Sequence, residues 1–316
     1  MNAMADTEEQ QTNYDVVMIG AGPSALAAAV YTTREAISTV LLEKGVVGGL
    51  AAITDKVDNY PGFADGIGGL ELAEQLEKQA ERFGAKIELA EVMAIEDKGD
   101  TKIIKTHSGD YTAKAVLIAT GSDYKKIGVP GEAEYYGRGV HYCATCDGAF
   151  YKEKRLVVVG GGNSAAQEAL FLTRFASHID MLIRSDWKAS DVLVDKVEAH
   201  EKITVHKGVT TDEIVANESG QVVKVIGTDT NSNEKKEFET DGVFVFVGLM
   251  PNTQFLSDSG IELDELGFVK TNKDLMTNMP GVFCSGDVRS GATMQIASAV
   301  GEGATAALKI REYLED

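Results

Sequence analysis

Cysteine, proline and long apolar runs are all scarce in this 316-residue chain. Three cysteines are too few for a disulfide-stapled secreted scaffold. Two of them stand in a C-x-x-C, a spacing that in a reducing compartment is catalytic or metal-binding. No segment approaches the roughly 20 apolar residues needed to span a bilayer. Basic residues are also short: 30 Lys and Arg stand against 49 Asp and Glu, a formal charge of −19, which repels phosphate backbones and anionic membrane surfaces. Neither nucleic acid nor a membrane is expected as a partner. Residues 1–13 are polar and acidic, without the basic start and apolar middle of a secretory signal. They read as an N-terminal tail, and a cytoplasmic protein is expected.

Glycine is what the chain has in excess, 33 residues against five prolines. The composition is otherwise that of a soluble globular protein, long enough for about two domains at roughly 150 residues each. The glycines therefore point to tight strand-to-helix turns of the phosphate-binding kind. Two are present. The run Tyr14-Asp15-Val16-Val17-Met18-Ile19 enters Gly20-Ala21-Gly22-Pro23-Ser24-Ala25 and an Ala-rich helical stretch. A second strand, Thr39 to Leu42, then ends at Glu43, 21 residues beyond Gly22, where a dinucleotide fold places the acid for a ribose hydroxyl.

The same grammar returns at Arg155 to Val159, Gly160-Gly161-Gly162-Asn163-Ser164-Ala165, a helix through Leu172 and a strand Asp180 to Ile183. In both motifs the first Gly permits the turn, the second lets the backbone approach a pyrophosphate, and Ala25 or Ala165 is small enough for helix-to-strand contact. Arg184 stands where Glu43 stands in the first copy. A cation there suits a 2′-phosphate and favours NADP over NAD, the plain alternative being a solvated surface Arg.

Gly69 to Phe83 reads as a packed surface helix, with Leu72, Leu76, Ala80 and Phe83 on one face. The runs Ala115 to Gly121 and Gly242 to Gly248 read as buried strands, each leading into a Pro-containing connector. The chain crosses between domains there, so the second domain is inserted into the first. The fold expected is α/β, with two Rossmann-like dinucleotide-binding domains of three-layer β/β/α type: 14–123 with 252–316, and 124–251. The charged stretch Asn231 to Glu239 reads as an exposed turn.

Cys143-Ala144-Thr145-Cys146-Asp147 is the third signal. Its spacing allows one disulfide, and a turn entering a helix lowers a thiol pKa. Zinc needs four ligands, and only His141 and Cys284 are additional soft candidates, so no metal is expected. A thioredoxin fold is the other user of C-x-x-C beside a βαβ unit. In a chain with two nucleotide sites, exchange of electrons with a cofactor is the better reading. Cys284, within Val282-Phe283-Cys284, reads as an inert core cysteine.

With Asp58-Asn59-Tyr60-Pro61-Gly62-Phe63, Ala119-Thr120-Gly121 and Gly286-Asp287-Val288, these motifs occur in an order that resembles the low-molecular-weight thioredoxin reductases, over about residues 14–313. The resemblance implies FAD on the first domain, NADPH on the second, a homodimer and a thioredoxin-like protein partner. It implies flavin contacts at Gly20, Gly22, Pro23, Ser24, Glu43, Lys44, Gly48, Gly49, Leu50, Asn59, Ala119, Thr120, Gly121 and Gly286. It further puts Asp287 at the ribityl and phosphate region and Gln295 and Ile296 near the isoalloxazine ring. Nucleotide contacts fall on Gly160, Gly162, Asn163, Ser164, Ala165, Arg184 and Lys188. The implied mechanism passes a hydride from the pyridine nucleotide to FAD, which reduces the Cys143–Cys146 disulfide. Cys146 faces the flavin, Cys143 attacks the substrate disulfide, and Asp147 handles the proton. The nucleotide domain rotates in this scheme, with hinges expected near Ser122 to Pro130 and Leu249 to Thr253.

The chain departs from that family pattern in three places. Leu182-Ile183-Arg184 stands where His-Arg-Arg grips the 2′-phosphate, with Lys188 replacing a further Arg. Lys lacks the bidentate fork, so phosphate affinity should fall. Leu50 follows Gly48-Gly49 where Gln is common, and Met294 precedes Gln295 where Arg is common. NADH or reduced ferredoxin are the alternative donors, and a peroxide-reducing pathway the alternative destination. A non-catalytic redox sensor and a zinc-binding module are the non-enzymatic readings.

Overall fold

The computed structural model describes residues 12–54 and 56–315. The chain divides into two compact units, one ending at Asp123 and resuming at Met250, the other spanning Tyr124–Leu249. The return falls two residues before the boundary of 252 read from the sequence. Residues 1–11 of the expected tail lie outside the described residues, and the first strand opens at Asn13.

In chain order the first unit contributes β1 (Asn13–Ile19), α1 (Pro23–Arg34), β2 (Thr39–Glu43), the single turn α2 (Gly49–Ala52), the ribbon β3 (Lys56–Val57) and β4 (Ile67–Gly68), α3 (Gly69–Arg82) and β5 (Lys86–Leu89). Then come β6 (Val92–Asp97), β7 (Lys102–Thr106) and β8 (Gly109–Ile118). The chain leaves through β9 (Ser122–Tyr124). The second unit holds β10 (Val140–His141), α4 (Ala144–Asp147), β11 (Arg155–Val159), α5 (Asn163–Leu172), β12 (His178–Ile183), α6 (Asp191–Glu198) and β13 (Ile203–Lys207). It closes with β14 (Glu213–Ala216), β15 (Val222–Thr228), β16 (Lys235–Glu239) and β17 (Gly242–Val245). β18 (Leu249–Pro251) leads back to β19 (Val282–Cys284) and α7 (Ile296–Glu315). β18 pairs with β9, so the two crossings form one ribbon. No helix among the described residues is long and apolar enough to cross a membrane.

The first unit has three layers because β8 belongs to two of them. Its start pairs antiparallel with β7, Ala113 opposite Lys102, while its end runs parallel to β1 and β19, Val116 opposite Val17 and Val282. Strand residues alternate between faces. Val17, Ile19, Val116 and Ile118 pack toward the meander β6–β8, whereas Val16, Met18, Ala115 and Leu117 pack on α1 and α7. Both faces are covered, as a parallel sheet requires. The sequence reading places this strand at Ala115, but it begins six residues earlier, because exposed Asp110 and Lys114 hide its meander half.

The second unit has a parallel sheet of order β10-β17-β11-β12-β13 and an antiparallel layer β14-β15-β16. Leu156, Val158 and Phe244 face α5, while Val157, Val159 and Val243 face the antiparallel layer. The exposed turn expected over 231–239 is shorter than that: Lys235–Glu239 is β16, anchored by buried Phe238 opposite Val225. Its Lys and Glu residues face solvent, which is why the strand reads as a charge run.

Candidate active site and cofactor cradles

In the first unit β1 stops at a turn that no side chain could occupy. Gly20 has φ +99°, and a Cβ there would lie 2.6 Å from the Ala119 carbonyl oxygen. Two residues on, the geometry reverses: a Cβ on Gly22 would meet nothing within 4 Å. That open space lies at the N-terminus of α1, where Pro23 has no N–H to leave unpaired and the following amides point outward. A helix N-terminus with such space beside it has the geometry that accepts a phosphate.

Glu43 ends β2 beside this turn. Its Oε2 accepts from the Ala21 N–H at 2.8 Å and its Oε1 from the Gly45 N–H at 2.8 Å, while Lys44 is exposed beside it. The Gly48 N–H donates to the Ala21 carbonyl at 2.8 Å, so the loop carrying Gly48, Gly49 and Leu50 is tied to the turn as well.

Three long-range contacts gather the remaining first-unit residues. Ser24 and Ser285 share a hydroxyl hydrogen bond of 2.7 Å, which brings Gly286 and Asp287 to the start of α1. Asn252 donates to the Thr120 carbonyl at 3.0 Å and accepts from the Thr120 hydroxyl at 2.8 Å, fixing Ala119-Thr120-Gly121. Asn59 donates to Gln295 Oε1 at 3.0 Å, and Ile296, Tyr60 and Phe63 pack against one buried cluster of Val57, Ile67 and Leu72. Sequence reasoning missed Asn252, Ser285 and Glu302. Glu302 accepts from the Gly286 N–H at 2.9 Å and from Arg289 at 3.0 Å. No local spacing betrays these residues; only the Pro251-Asn252 and Ser285-Gly286 adjacencies hint at two of them.

Burial first, and the Glu302 carboxylate second, push the Asp287 carboxyl up to about 6. The folded protein therefore holds this proton more tightly than the unfolded chain. The stability it contributes is complete below the unfolded value of 3.8 and is lost as pH rises through about 6. Holding the proton that much more tightly corresponds to roughly 3 kcal/mol. In flavin-free protein, Asp287→Asn should therefore raise the melting temperature at neutral pH and flatten its fall between about pH 4 and 6, as thermal unfolding across that range will test.

The second unit repeats the cradle. Gly160 has φ +142° with a hypothetical Cβ 2.4 Å from the Phe246 carbonyl oxygen, and Gly162 again faces open space, at the N-terminus of α5. Asn163, the first residue of α5, accepts the Ser190 N–H at 2.8 Å through its side chain, and Ala165 is buried beneath the turn while Ser164 is exposed. The Gly161 carbonyl accepts the Lys188 N–H at 2.7 Å, bringing the Arg184 to Lys188 segment against the turn. Arg184 and Lys188 are exposed, and among the described residues neither has a carboxylate partner.

Cys143 and Cys146 of the same unit form a disulfide, with Cα atoms 5.3 Å apart. Cys143 caps α4, its sulfur accepting the Cys146 N–H at 3.2 Å. Asp147 follows, with Oδ2 3.2 Å from His141 Nδ1. Tyr142, immediately before the pair, donates its hydroxyl to buried Glu132 at 2.8 Å. Cys284 is fully buried in the first unit and unpaired, and burial pushes its thiol far up, which disfavours the reactive thiolate. Among the described residues no group of three or more His, Cys, Asp or Glu is arranged to hold a metal ion.

Two glycine cradles and a half-buried cysteine pair define a class of nucleotide-dependent disulfide chemistry. The family model for pyridine nucleotide-disulphide oxidoreductases matches residues 14–303, and the chain belongs to that family. Membership implies FAD and a pyridine nucleotide, and the open spaces at Gly22 and Gly162 suit the two pyrophosphates. Within the family the chain is similar along its length to thioredoxin reductases. It is 44% identical over 304 residues to that of Bacillus subtilis strain 168, covering 96% of this chain and 95% of the relative. The thioredoxin reductase of Treponema pallidum is 39% identical over 306 residues, covering 96% and 98%. The crystal structure of thioredoxin reductase from Streptococcus pyogenes superposes with TM-score 0.92 at 38% identity, over 97% of this chain and 99% of that one.

Proposed function

We infer that this protein is a thioredoxin-disulfide reductase that takes electrons from NADPH and works as a homodimer. The observation that carries the reading is the Cys143–Cys146 disulfide, followed at once by Asp147, inside the unit that bears the second glycine cradle. Gly20, Gly22, Glu43, Thr120, Asp287 and Gln295 are the residues we assign to FAD, which when bound supplies the two electrons that open the disulfide.

The protein's own residues then carry the exchange. Cys143 bonds one sulfur of the substrate disulfide, and the other substrate sulfur leaves. Cys146 bonds Cys143 and releases the second sulfur. Asp147, next in the chain, is the acid that handles the proton. A cysteine capping a turn, with one face toward solvent, suits the attacking role.

For the donor, the support is electrostatic: Arg184 and Lys188 are cations without carboxylate partners among the described residues, beside the second cradle, and no acid ends β12 to select a free ribose hydroxyl. Arg184→Ala should raise the KM for NADPH about tenfold or more while leaving that for NADH nearly unchanged, since a charge-assisted hydrogen bond contributes roughly 1.5–3 kcal/mol. Steady-state kinetics with both nucleotides will check this. An anaerobic titration of the flavin absorbance with NADPH and then NADH tests the reading as a whole. Bleaching by NADPH followed by thioredoxin reduction is expected. A flavin that dithionite reduces but neither nucleotide does would overturn the NADPH assignment. Light scattering tests the dimer.

A further inference from the structure

The segment that carries Arg184 and Lys188 is exposed, yet the fold fastens it at both ends. It leaves β12 at Ile183 and passes over the second glycine cradle: a Cβ on Gly161 would lie 2.6 Å from Ile183 Cγ2 and 3.5 Å from the Asp186 carbonyl oxygen. The Ile183 and Ser185 carbonyls accept the Val209 and Gly208 N–H groups at 3.1 and 3.2 Å, which brackets Arg184. Beyond it, the Lys188 N–H reaches the Gly161 carbonyl at 2.7 Å and the Ser190 N–H reaches the Asn163 side chain at 2.8 Å.

Between these backbone ties one side chain of the segment reaches a neighbouring helix. Trp187 is half-buried against the cluster that contains Ile183 and Val197, and its indole N–H donates to Glu198 Oε1 at 2.9 Å. Glu198 is the last residue of α6. β13 runs parallel to β12 with Lys207 opposite Ile183, a register that brings Lys207 Nζ 2.9 Å from Glu198 Oε1 and 3.9 Å from Asp186 Oδ1. The Lys207 hydrogen bond first, and that of Trp187 second, hold the Glu198 carboxyl below the usual carboxylate range, so it is an ionised acceptor at neutral pH.

We propose that Trp187, through its hydrogen bond to Glu198, is a positioning residue for donor selectivity: it anchors the segment to α6, so that Arg184 and Lys188 are held beside the second cradle for the 2′-phosphate of NADPH. The proposal rests on the NADPH reading. Side chains that grip an anion lose rotamer freedom, and a backbone that is already ordered adds nothing to that loss. Preorganisation matters most where a Lys stands in for the bidentate fork of an Arg, as Lys188 does. Its effect is confined to the 2′-phosphate, because the open space at Gly162 is made by the turn itself.

The test measures binding and not turnover, by calorimetric titration of the oxidised, FAD-loaded protein with NADP+ and, separately, with NAD+. Trp187→Phe keeps an aromatic ring and the net charge and removes the N–H. It should weaken NADP+ binding about three- to tenfold, the scale of one hydrogen bond, and change that of NAD+ by less than about twofold. Glu198→Gln, the conservative change, keeps an acceptor for the indole and should retain the NADP+ affinity. In a background of Arg184→Ala with Lys188→Ala the Trp187→Phe loss should vanish, because residues that act through one another are not additive. Equal weakening of NADP+ and NAD+, a loss that persists without the two cations, or a Glu198→Gln protein as weak as Trp187→Phe would each overturn the proposal. If Trp187→Phe is too unstable to titrate, Glu198→Met removes the same acceptor from the surface. Compared with the wild type at high salt, where the lost charge is screened, an unchanged preference for NADP+ over NAD+ in that variant overturns the proposal. A wild type that binds NADP+ no better than NAD+ fails the NADPH reading itself and takes the proposal with it. A selective wild type matched by an equally selective Trp187→Phe overturns the proposal alone.

Discussion

Cys146→Ser should yield a yellow, folded protein whose thioredoxin reduction falls by more than about 10⁴-fold, the order seen when a covalent nucleophile is removed. The fold survives because the cap that organises α4 uses the Cys143 sulfur and the backbone N–H of residue 146, not its side chain. The flavin survives because the residues assigned to it lie in the other unit. What is lost is the resolving sulfur. Cys143 can still attack a substrate disulfide, so the variant should accumulate a mixed disulfide with thioredoxin, visible on a non-reducing gel. Cys143→Ser should be equally inactive but form no such adduct. Trapping by Cys143→Ser in place of Cys146→Ser would reverse the roles, and turnover by either variant would end the disulfide mechanism.

Gly20→Val should be the most damaging change outside the cysteines. It combines a positive φ that a β-branched residue avoids with a Cβ 2.6 Å from the Ala119 carbonyl oxygen and 3.2 Å from Thr120 Cα. The neighbour that must yield is the backbone between β8 and β9, which Asn252 also holds. We expect a loss of about 3–5 kcal/mol and little bound flavin. Gly22→Ala is the control, because its Cβ meets no protein atom. It should melt near the wild type without flavin yet bind FAD more weakly, because the methyl group enters the space assigned to the pyrophosphate. Thermal unfolding of flavin-free protein with flavin titration separates the two effects. Equal melting temperatures for Gly20→Val and the wild type would show that the turn relaxes.

The readable parts of this molecule are those whose physics is local. A turn that must bring backbone against backbone leaves glycine at a fixed offset from a strand, twice, and a redox pair leaves C-x-x-C. Glu43 is visible because the βαβ unit fixes how far it lies from Gly22. The unreadable parts are pairings across long stretches of chain. Asn252 is 132 residues from Thr120, and Ser285 is 261 residues from Ser24, so no window of sequence holds both partners. β16 is hidden for another reason: an antiparallel strand with one solvated face looks like a charge run. His141 was legible only as a residue type. The sequence offers it as a spare soft candidate for a metal that is not expected, and the register opposite Phe244 that makes it a stacked, buried side chain comes from strand pairing across a hundred residues.

The ribbon of β9 and β18 has a consequence for how such a protein is assembled and taken apart. The inserted unit leaves and rejoins its host through neighbouring strands, so its two ends, Tyr124 and Leu249, lie side by side. A domain whose ends adjoin behaves as a cassette. A single recombination event can place it in a surface loop of another nucleotide-binding fold, and a few linker residues can close the gap it leaves behind. Doubling of an ancestral βαβ module followed by insertion of one copy into the other needs no further rearrangement than that.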